Sequence, residues 1–379
     1  MARETPLESA PKLSQRLGPR VLLKREDLQP VFSFKNRGAF NKMAHLPASE
    51  LAAGVVAASA GNHAQGVALG ASRLGVSASI VMPVPTPAIK VNAVRALGAE
   101  VILHGDTYDE AAALADVKAR EDRRPFIHPY DDPDVIAGQG TVAMEIFRQH
   151  PDPIDAIFVP VGGGGLIAGV AAYAKFVQPS TAVIGVEPED AACLHAALRD
   201  GSRTVLDRVG IFCDGAAVKQ VGAEPFEVVQ DLIDGVIRVD TDEICAAIQD
   251  IFEDTRSIAE PAGAIAVAGL KKYLDEKSAH DGSFVAINSG ANMSLHRLRH
   301  ISERTELGEA ILAVTIPERP GSFRQFCEAL GNLDVTEFNY RYTSNVEAHV
   351  FVGVRLGSDR RPAQLIDELE RSGYPATDL

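Results

Sequence analysis

Val55-Val56-Ala57-Ala58-Ser59-Ala60-Gly61-Asn62-His63 passes from an apolar, β-branched run into a small-residue turn and then a helical pattern. The run predicts a strand over 51–58. The turn at Ser59 to Asn62 opens a helix whose apolar positions Val67, Ala68 and Ala71 recur at helical spacing as far as Gly75. Small residues let backbone approach a ligand closely, and the free N–H groups of a helix start favour an anion there. The alternation continues with a strand over 78–82, a proline-rich turn over 83–87, a helix over 88–97 ended by Gly98, a strand over 101–103 and a helix over 107–120. Strand-helix alternation of this kind predicts an α/β fold, with parallel strands covered on both faces and ligands beyond the carboxyl ends of the strands.

Toward the N-terminus, Val21-Leu22-Leu23-Lys24 reads as a short strand followed by a loop over 25–30. The loop leads to Ser33-Phe34-Lys35-Asn36-Arg37-Gly38, and a helical pattern through Phe40, Met43 and Ala44 starts at Gly38. Toward the C-terminus, Ala137-Gly138-Gln139-Gly140-Thr141 opens a helix through Ile146. A buried strand over 155–161 feeds Gly162-Gly163-Gly164-Gly165-Leu166 and a helix over 166–177, then a strand over 182–186. A strand over 283–287 ends in Asn288-Ser289-Gly290-Ala291-Asn292, which places a small hydroxyl at a strand end.

A lysine by itself is ordinarily a solvated charge. Lys35, the Ser59 turn and the glycine run together supply an amine, an oxyanion cradle and a phosphate cradle, the parts of a pyridoxal-phosphate (PLP) site. Lysine forms a Schiff base where burial and neighbours help it lose its proton, and the cofactor then serves as an electron sink. Two further readings of the glycine run stay open. Gly163, Gly165 and Ala168 fit the looser dinucleotide fingerprint, with Glu187 ending the next strand where a ribose-binding acid belongs. Close packing of strand against helix is the other. Four adjacent glycines exceed what a dinucleotide turn needs, and a phosphate held by several backbone N–H groups explains the run better.

With 379 residues, the chain has length for two or three domains. It is 46% hydrophobic and lacks Trp, so its cores are aliphatic. A net charge of -14 argues against nucleic acid or an anionic membrane as partner, while small anionic ligands still bind locally. Cys193, Cys213, Cys245 and Cys327 form no CxxC. Neither a disulfide scaffold nor a metal site is indicated, although Cys193 and His195 are close, and the expected setting is a reduced cytoplasm. The N-terminus carries no apolar signal core. The uncharged run 156–174 contains Pro160 and the four glycines, so it reads as strand, turn and helix rather than a membrane span. Beyond Glu303-Arg304-Thr305-Glu306 the composition changes. Strands over 310–316, 335–342, 348–354 and from 375, with helices over 322–330 and 363–371, give the β-α-β-β-α-β order of the ferredoxin-like plan.

These motifs carry a family resemblance. Ser33-Phe34-Lys35-Asn36-Arg37-Gly38-Ala39, residues 58–66, 137–141 and 162–166, and Ser289-Gly290-Ala291-Asn292 follow in the order and spacing of the fold-type II (tryptophan synthase beta-like) PLP enzymes. Within them the chain is most similar to the biosynthetic threonine dehydratases, and the tail around Thr336-Glu337-Phe338-Asn339-Tyr340-Arg341 resembles their ACT-like regulatory domain. The resemblance implies that Lys35, preceded by Phe34, holds PLP as a Schiff base. Asn62 bonds the cofactor's ring oxygen, Gly162, Gly163, Gly164, Gly165 and Leu166 hold its phosphate, and Ser289 meets its pyridine nitrogen. Ser59, Gly61, Asn62 and His63 line the substrate carboxylate pocket, with Gln139 close to it. Glu260 matches a family motif near the cofactor, and equally reads as a helix-start acid stabilised by the dipole.

The implied activity is dehydration and deamination of L-threonine to 2-oxobutanoate and ammonia, the first step of isoleucine biosynthesis, with L-serine giving pyruvate. Isoleucine and valine are the implied effectors, acting on the C-terminal domain, and a homo-oligomer, tetramer or dimer, is the implied assembly. The corresponding domains are 1–305, with a small lobe over about 40–140 inserted in a larger one, and 306–379. Two departures stand out: the chain starts almost at Thr5-Pro6-Leu7, and its tail holds one ACT-like unit where many relatives carry two. A cation near Glu187 is implied by analogy only. The competing functions are a broader serine/threonine dehydratase or racemase, an amino-acid-binding regulator with an inactive catalytic domain, and a nicotinamide dehydrogenase, which leaves Lys35 and Ser289 unexplained.

Overall fold

The alternation of strand and helix builds two separate sheets in the first of two units, Met1–Ser294 and Leu295–Leu379. The computed structural model describes residues 2–210, 212–277, 281–294, 298, 301, 309–342, 346–356 and 362–378. The domain boundary expected between 305 and 306 lies outside the described residues. In chain order the first unit runs β1 (Leu7–Ser9), α1 (Pro11–Leu17), β2 (Arg20–Arg25), α2 (Lys35–His45), α3 (Ala48–Leu51), β3 (Val55–Ala58), α4 (Asn62–Leu74), β4 (Ala78–Met82), α5 (Ala88–Ala96), β5 (Glu100–Leu103) and α6 (Tyr108–Glu121). It continues with α7 (Pro133–Gln149), β6 (Ala156–Pro160), α8 (Gly165–Val177), β7 (Ala182–Pro188), α9 (Cys193–Asp200), α10 (Ala223–Leu232), β8 (Gly235–Val239), α11 (Thr241–Thr255), α12 (Pro261–Lys277) and β9 (Ser283–Asn288).

The larger sheet has the order β1-β2-β9-β6-β7-β8. Every pair is parallel except β1 with β2, which is antiparallel. The smaller sheet, β3-β4-β5, is wholly parallel. Burial on both faces accounts for the apolar runs that alternate poorly: all five residues of β6 are buried, as are all four of β3. Each fully buried Val, Ile or Phe in them contributes about 1.5–3 kcal/mol by leaving water.

Three elements start three or four residues away from where the sequence reading puts them. Residues 48–51 form a helical turn, so the strand expected from 51 starts at Val55. α2 starts at Lys35, not Gly38, and α7 starts at Pro133 rather than at Ala137. The side chain of Asp132 accepts the N–H groups of Asp134 and Val135, and Pro133 takes the first helical position, where its missing N–H is not needed. Gly138 and Gly140 therefore lie inside α7, where their role is contact. A Cβ on Gly138 would stand 2.6 Å from Cα of Gly38 in α2, and one on Gly140 would stand 2.9 Å from the carbonyl oxygen of Gly169 in α8. The uncharged run 156–174 folds as β6, the glycine turn and most of α8. Among the described residues no helix is long and apolar enough to cross a membrane.

In the second unit β10 (Glu309–Pro317), β11 (Asp334–Tyr342), β12 (Glu347–Arg355) and β13 (Ala376–Asp378) form an antiparallel sheet of order β11-β12-β10-β13. With helices Ser322–Leu330 and Pro362–Arg371 this is the ferredoxin-like plan. Alternation along β12 buries Ala348, Val350, Val352 and Val354, and Phe326, Leu365 and Leu369 of the two helices complete that core.

Candidate active site

Lys35 owes its place to the end of β9. Ser33 makes an antiparallel bridge to Gly290. The Phe34 N–H donates to the Ser289 carbonyl at 3.2 Å, and the Ala291 N–H donates to the Phe32 carbonyl at 2.9 Å. Between these ties Phe32 takes a left-handed φ of 55°, an unfavourable conformation for an aromatic residue that the bonds on either side enforce. Lys35 follows as the first residue of α2. Its Nζ donates to the Pro129 carbonyl at 2.9 Å and stands 5.2 Å from the Phe34 ring centre. Loss of solvation lowers its pKa to about 8.

The glycine run forms the opposite wall. Gly164 has φ 92° and precedes the first turn of α8, whose N–H groups have no acceptor within the helix. A Cβ on Gly162 would meet Cα of Ala216 at 3.0 Å, one on Gly163 the Tyr130 ring at 2.3 Å, and one on Gly164 the Pro225 side chain at 2.9 Å. One pocket is lined by Phe34, Lys35, Tyr130, Gly162 to Leu166 and Ser289, with Gly215, Ala216 and Ala262 closing it. An amine, the N–H groups of a helix start and a neutral hydroxyl thus converge where side chains have been pared away. That donor set fits pyridoxal phosphate: an amine for its aldehyde, backbone N–H groups for its phosphate, a hydroxyl for its ring.

The dinucleotide reading of the same run loses its acid. Glu187 is fully buried, and its carboxylate accepts the N–H groups of Leu194 and His195 at the start of α9, both at 2.8 Å. Burial pushes its pKa up to about 7 against the lowering effect of those bonds. It caps a helix and is not presented to a ribose. Among the described residues no three His, Cys, Asp or Glu side chains gather as a metal site would require.

The turn before α4 is the second candidate region that the sequence singles out. The Gly61 N–H donates to Ser59 Oγ at 3.2 Å, and the space beside Gly61 is open. Asn62 Nδ2 donates to Glu260 Oε1 at 2.6 Å, while Asn62 Oδ1 accepts from Asn292 at 2.7 Å. The His63 ring is buried, with Nε2 2.7 Å from the Ile127 carbonyl. Burial first, then the charge of Lys35, hold its pKa down at about 3, so it stays neutral. The Gln139 side chain is committed as well: its Oε1 accepts the Gly38 N–H at 3.2 Å and ties α7 to α2. Lys35, Phe34, the glycine run and Ser289 therefore share one pocket. Ser59, Gly61, Asn62, His63 and Gln139 are not among its lining residues, and the side chains of His63 and Gln139 meet the backbone of Ile127 and Gly38.

Several members of this region were not singled out from the sequence. Tyr130 fills the space under Gly163 and Gly165, and no local motif marks it. Two residues beyond Lys35, the buried Arg37 guanidinium bonds Glu26 of the 3-10 turn after β2 and Glu145 of α7, each through two contacts of 2.7 Å. Glu145 also accepts from the fully buried Lys24 at 2.6 Å. These partners are 11 and 108 residues from Arg37 in sequence, so no spacing rule reveals them.

The chain is similar to known proteins along nearly its whole length. Residues 1–290 match the family described as pyridoxal-phosphate dependent enzyme, and residues 301–379 match the C-terminal regulatory domain of threonine dehydratase. The chain is 55% identical to a biosynthetic L-threonine dehydratase of Burkholderia multivorans, covering 100% of this chain and 76% of that protein. It is 52% identical to the Escherichia coli counterpart, covering 100% and 74%. The processed form of threonine deaminase isoform 2 from Solanum lycopersicum superposes with a TM-score of 0.79 at 51% identity, over 80% of this chain and 88% of that one. Maize serine racemase superposes with a TM-score of 0.75 at 33% identity, over 80% and 92%.

Proposed function

The chain belongs to the pyridoxal-phosphate-dependent enzymes, among the biosynthetic threonine dehydratases with their C-terminal regulatory domain, and from that premise we propose how the pocket around Lys35 does its work. The reaction is the PLP-dependent deamination of L-threonine in isoleucine biosynthesis. The observation that carries the assignment of roles is the convergence of the Lys35 amine, the Gly162–Gly165 turn and the Ser289 hydroxyl on one pocket.

When bound, PLP withdraws electrons from the α-carbon of the amino acid joined to it. Lys35 anchors the group through Nζ. Burial lowers the pKa of its amine to about 8 in the ligand-free chain, which suits that group to act as the base that would take the Cα proton. The N–H groups of Gly162 to Leu166 hold the phosphate at the start of α8. Ser289 offers the ring nitrogen a neutral hydroxyl, which cannot support a full positive charge there as a carboxylate would. That choice favours loss of the β-hydroxyl over transamination. Ser59, Gly61 and the backbone N–H of Asn62 receive the substrate carboxylate at the start of α4, which leaves the free side-chain N–H of Asn62 to the cofactor, and His63, held neutral, adds no charge there. Loss of water from L-threonine, then its return as ammonia is released, leaves 2-oxobutanoate. L-serine gives pyruvate by the same balance.

The catalytic domain spans 1–305 and the regulatory domain 306–379 in this reading. Isoleucine acts through the second, with valine opposing it, in a cytoplasmic homo-oligomer, tetramer or dimer. The support is the regulatory-domain match and the edge that β11 leaves open on its sheet. Serine racemisation is the second reading, favoured by the serine racemase match. An absorption spectrum of the purified protein, followed by L-threonine addition and keto-acid detection, tests the assignment. A PLP band that responds to threonine with 2-oxobutanoate released is expected, and a colourless protein that takes up no PLP overturns it. Chiral analysis of serine after incubation separates racemisation from dehydration.

A further inference from the structure

Glu260 is 4% exposed and stands immediately before α12. A helix-start acid facing the dipole is its general reading, but its side chain has a specific partner. Oε1 lies 2.6 Å from Nδ2 of Asn62. Asn62 Oδ1 accepts from Asn292 Nδ2 at 2.7 Å, and that same nitrogen donates to the Val31 carbonyl at 2.7 Å. A primary amide carries two donors on nitrogen and an acceptor on oxygen. Flipping Asn62 would set its oxygen against the Glu260 carboxylate and its nitrogen against the nitrogen of Asn292. Both contacts would then be repulsive, so the orientation is determined from two sides.

One N–H of Asn62 goes to Glu260, and the second is left to donate. The nitrogen lies beside the Lys35 pocket: a Cβ on Gly215, a wall residue, would stand 4.0 Å from Asn62 Nδ2. Ala262, two residues after Glu260, lines the same pocket. The Glu260 main chain is tied to the strand end that carries Ser289, through its N–H to the Gly290 carbonyl at 3.0 Å. A Cβ on Gly290 would meet Oε1 of Glu260 at 2.3 Å, so glycine there admits the carboxylate.

We propose that Glu260 is a positioning residue for the bound cofactor, holding the Asn62 amide so that its remaining N–H donates to an oxygen of pyridoxal phosphate. The proposal rests on the reading of the pocket as the PLP site. Glu260 acts through Asn62 and does not itself touch the reacting atoms.

The test is PLP affinity, measured by spectroscopic titration of the apoprotein. Glu260→Met keeps length and bulk but removes the acceptor, and it weakens PLP binding about tenfold, as loss of one charge-assisted hydrogen bond does. Glu260→Gln keeps a carbonyl acceptor and stays within about threefold of wild type. In an Asn62→Ala background, Glu260→Met brings no further loss, because the group it positions is gone. Unchanged affinity in Glu260→Met, or an equal loss with and without Asn62, overturns the proposal. If Glu260→Met does not fold, Asn62→Asp serves instead. Two carboxylates then face one another, so PLP binding falls below that of Asn62→Ala and recovers when Glu260→Gln is added; no recovery overturns the proposal. A wild-type chain that takes up no PLP overturns the reading of the pocket and the proposal with it. Normal wild-type uptake with unaffected variants overturns only the role of Glu260.

Discussion

The backbone N–H of Phe34 donates to the carbonyl oxygen of Ser289 at 3.2 Å, although the two residues lie at opposite ends of the first unit's sequence. This bond, with the Ser33–Gly290 bridge beside it, sets the lysine at the start of α2 next to the hydroxyl at the end of β9. The two groups proposed to meet the aldehyde and the ring nitrogen of one cofactor are thus positioned by adjoining backbone.

Lys35→Ala removes the amine while leaving the packing of α2 in place. Turnover of L-threonine falls by a factor of about a thousand or more, since anchoring and proton transfer are lost together. The visible PLP band disappears and the far-ultraviolet circular dichroism stays. Near-wild-type keto-acid formation in this variant contradicts the role given to Lys35.

In the apoprotein, Lys35 carries a folded-state pKa of about 8 against an ordinary value of 10.5. Between those values the unfolded chain binds more protons than the folded one, so stability rises with pH across that window. Below pH 8 the buried ammonium is a destabilising charge. Urea midpoints of wild type compared with Lys35→Met check this: the difference between them narrows from pH 8 to pH 10. A difference that does not change with pH rules it out.

Arg37 spans Glu26 and Glu145 with a planar fork, and all three side chains are buried. Arg37→Ala leaves two carboxylates without their common cation and costs about 3–5 kcal/mol. Arg37→Lys recovers only part of this, because a single ammonium cannot make the paired bonds. Denaturant unfolding of the apoprotein measures both. Equal stability of the lysine variant and wild type would show that charge suffices and the fork does not matter.

Gly138→Ala places a methyl group 2.6 Å from Cα of Gly38, where no flexible side chain can yield. α2 must move off α7, at a cost of about 1–3 kcal/mol. Because α2 begins with Lys35, PLP affinity falls with the melting temperature. An unchanged PLP titration in a destabilised protein would separate helix packing from the site.

Removal of residues from 308 onward abolishes any response to isoleucine and valine while threonine turnover persists. Initial rates with and without isoleucine, on the full chain and the shortened one, decide it. Inhibition that survives the truncation would place the effector site in the first unit.

Sequence by itself determined the features whose physics is local. Strand-helix alternation, the glycine run, the small-residue turn at Ser59–Asn62 and the Lys35 motif are legible because periodicity, backbone freedom and helix-start N–H groups act over a few residues. Tertiary structure decided what depends on which distant groups meet. Only there does Tyr130 account for Gly163, and Asp132 move the start of α7 back to Pro133. Only there does Glu187 turn from a ribose acid into a helix cap, and only there does the Gln139 side chain meet the Gly38 N–H of α2. The Arg37 cluster and the Glu260–Asn62 bond belong to the same class. A buried polar group must find a partner, but any of many acceptors satisfies that demand, and packing of the whole chain selects which one does.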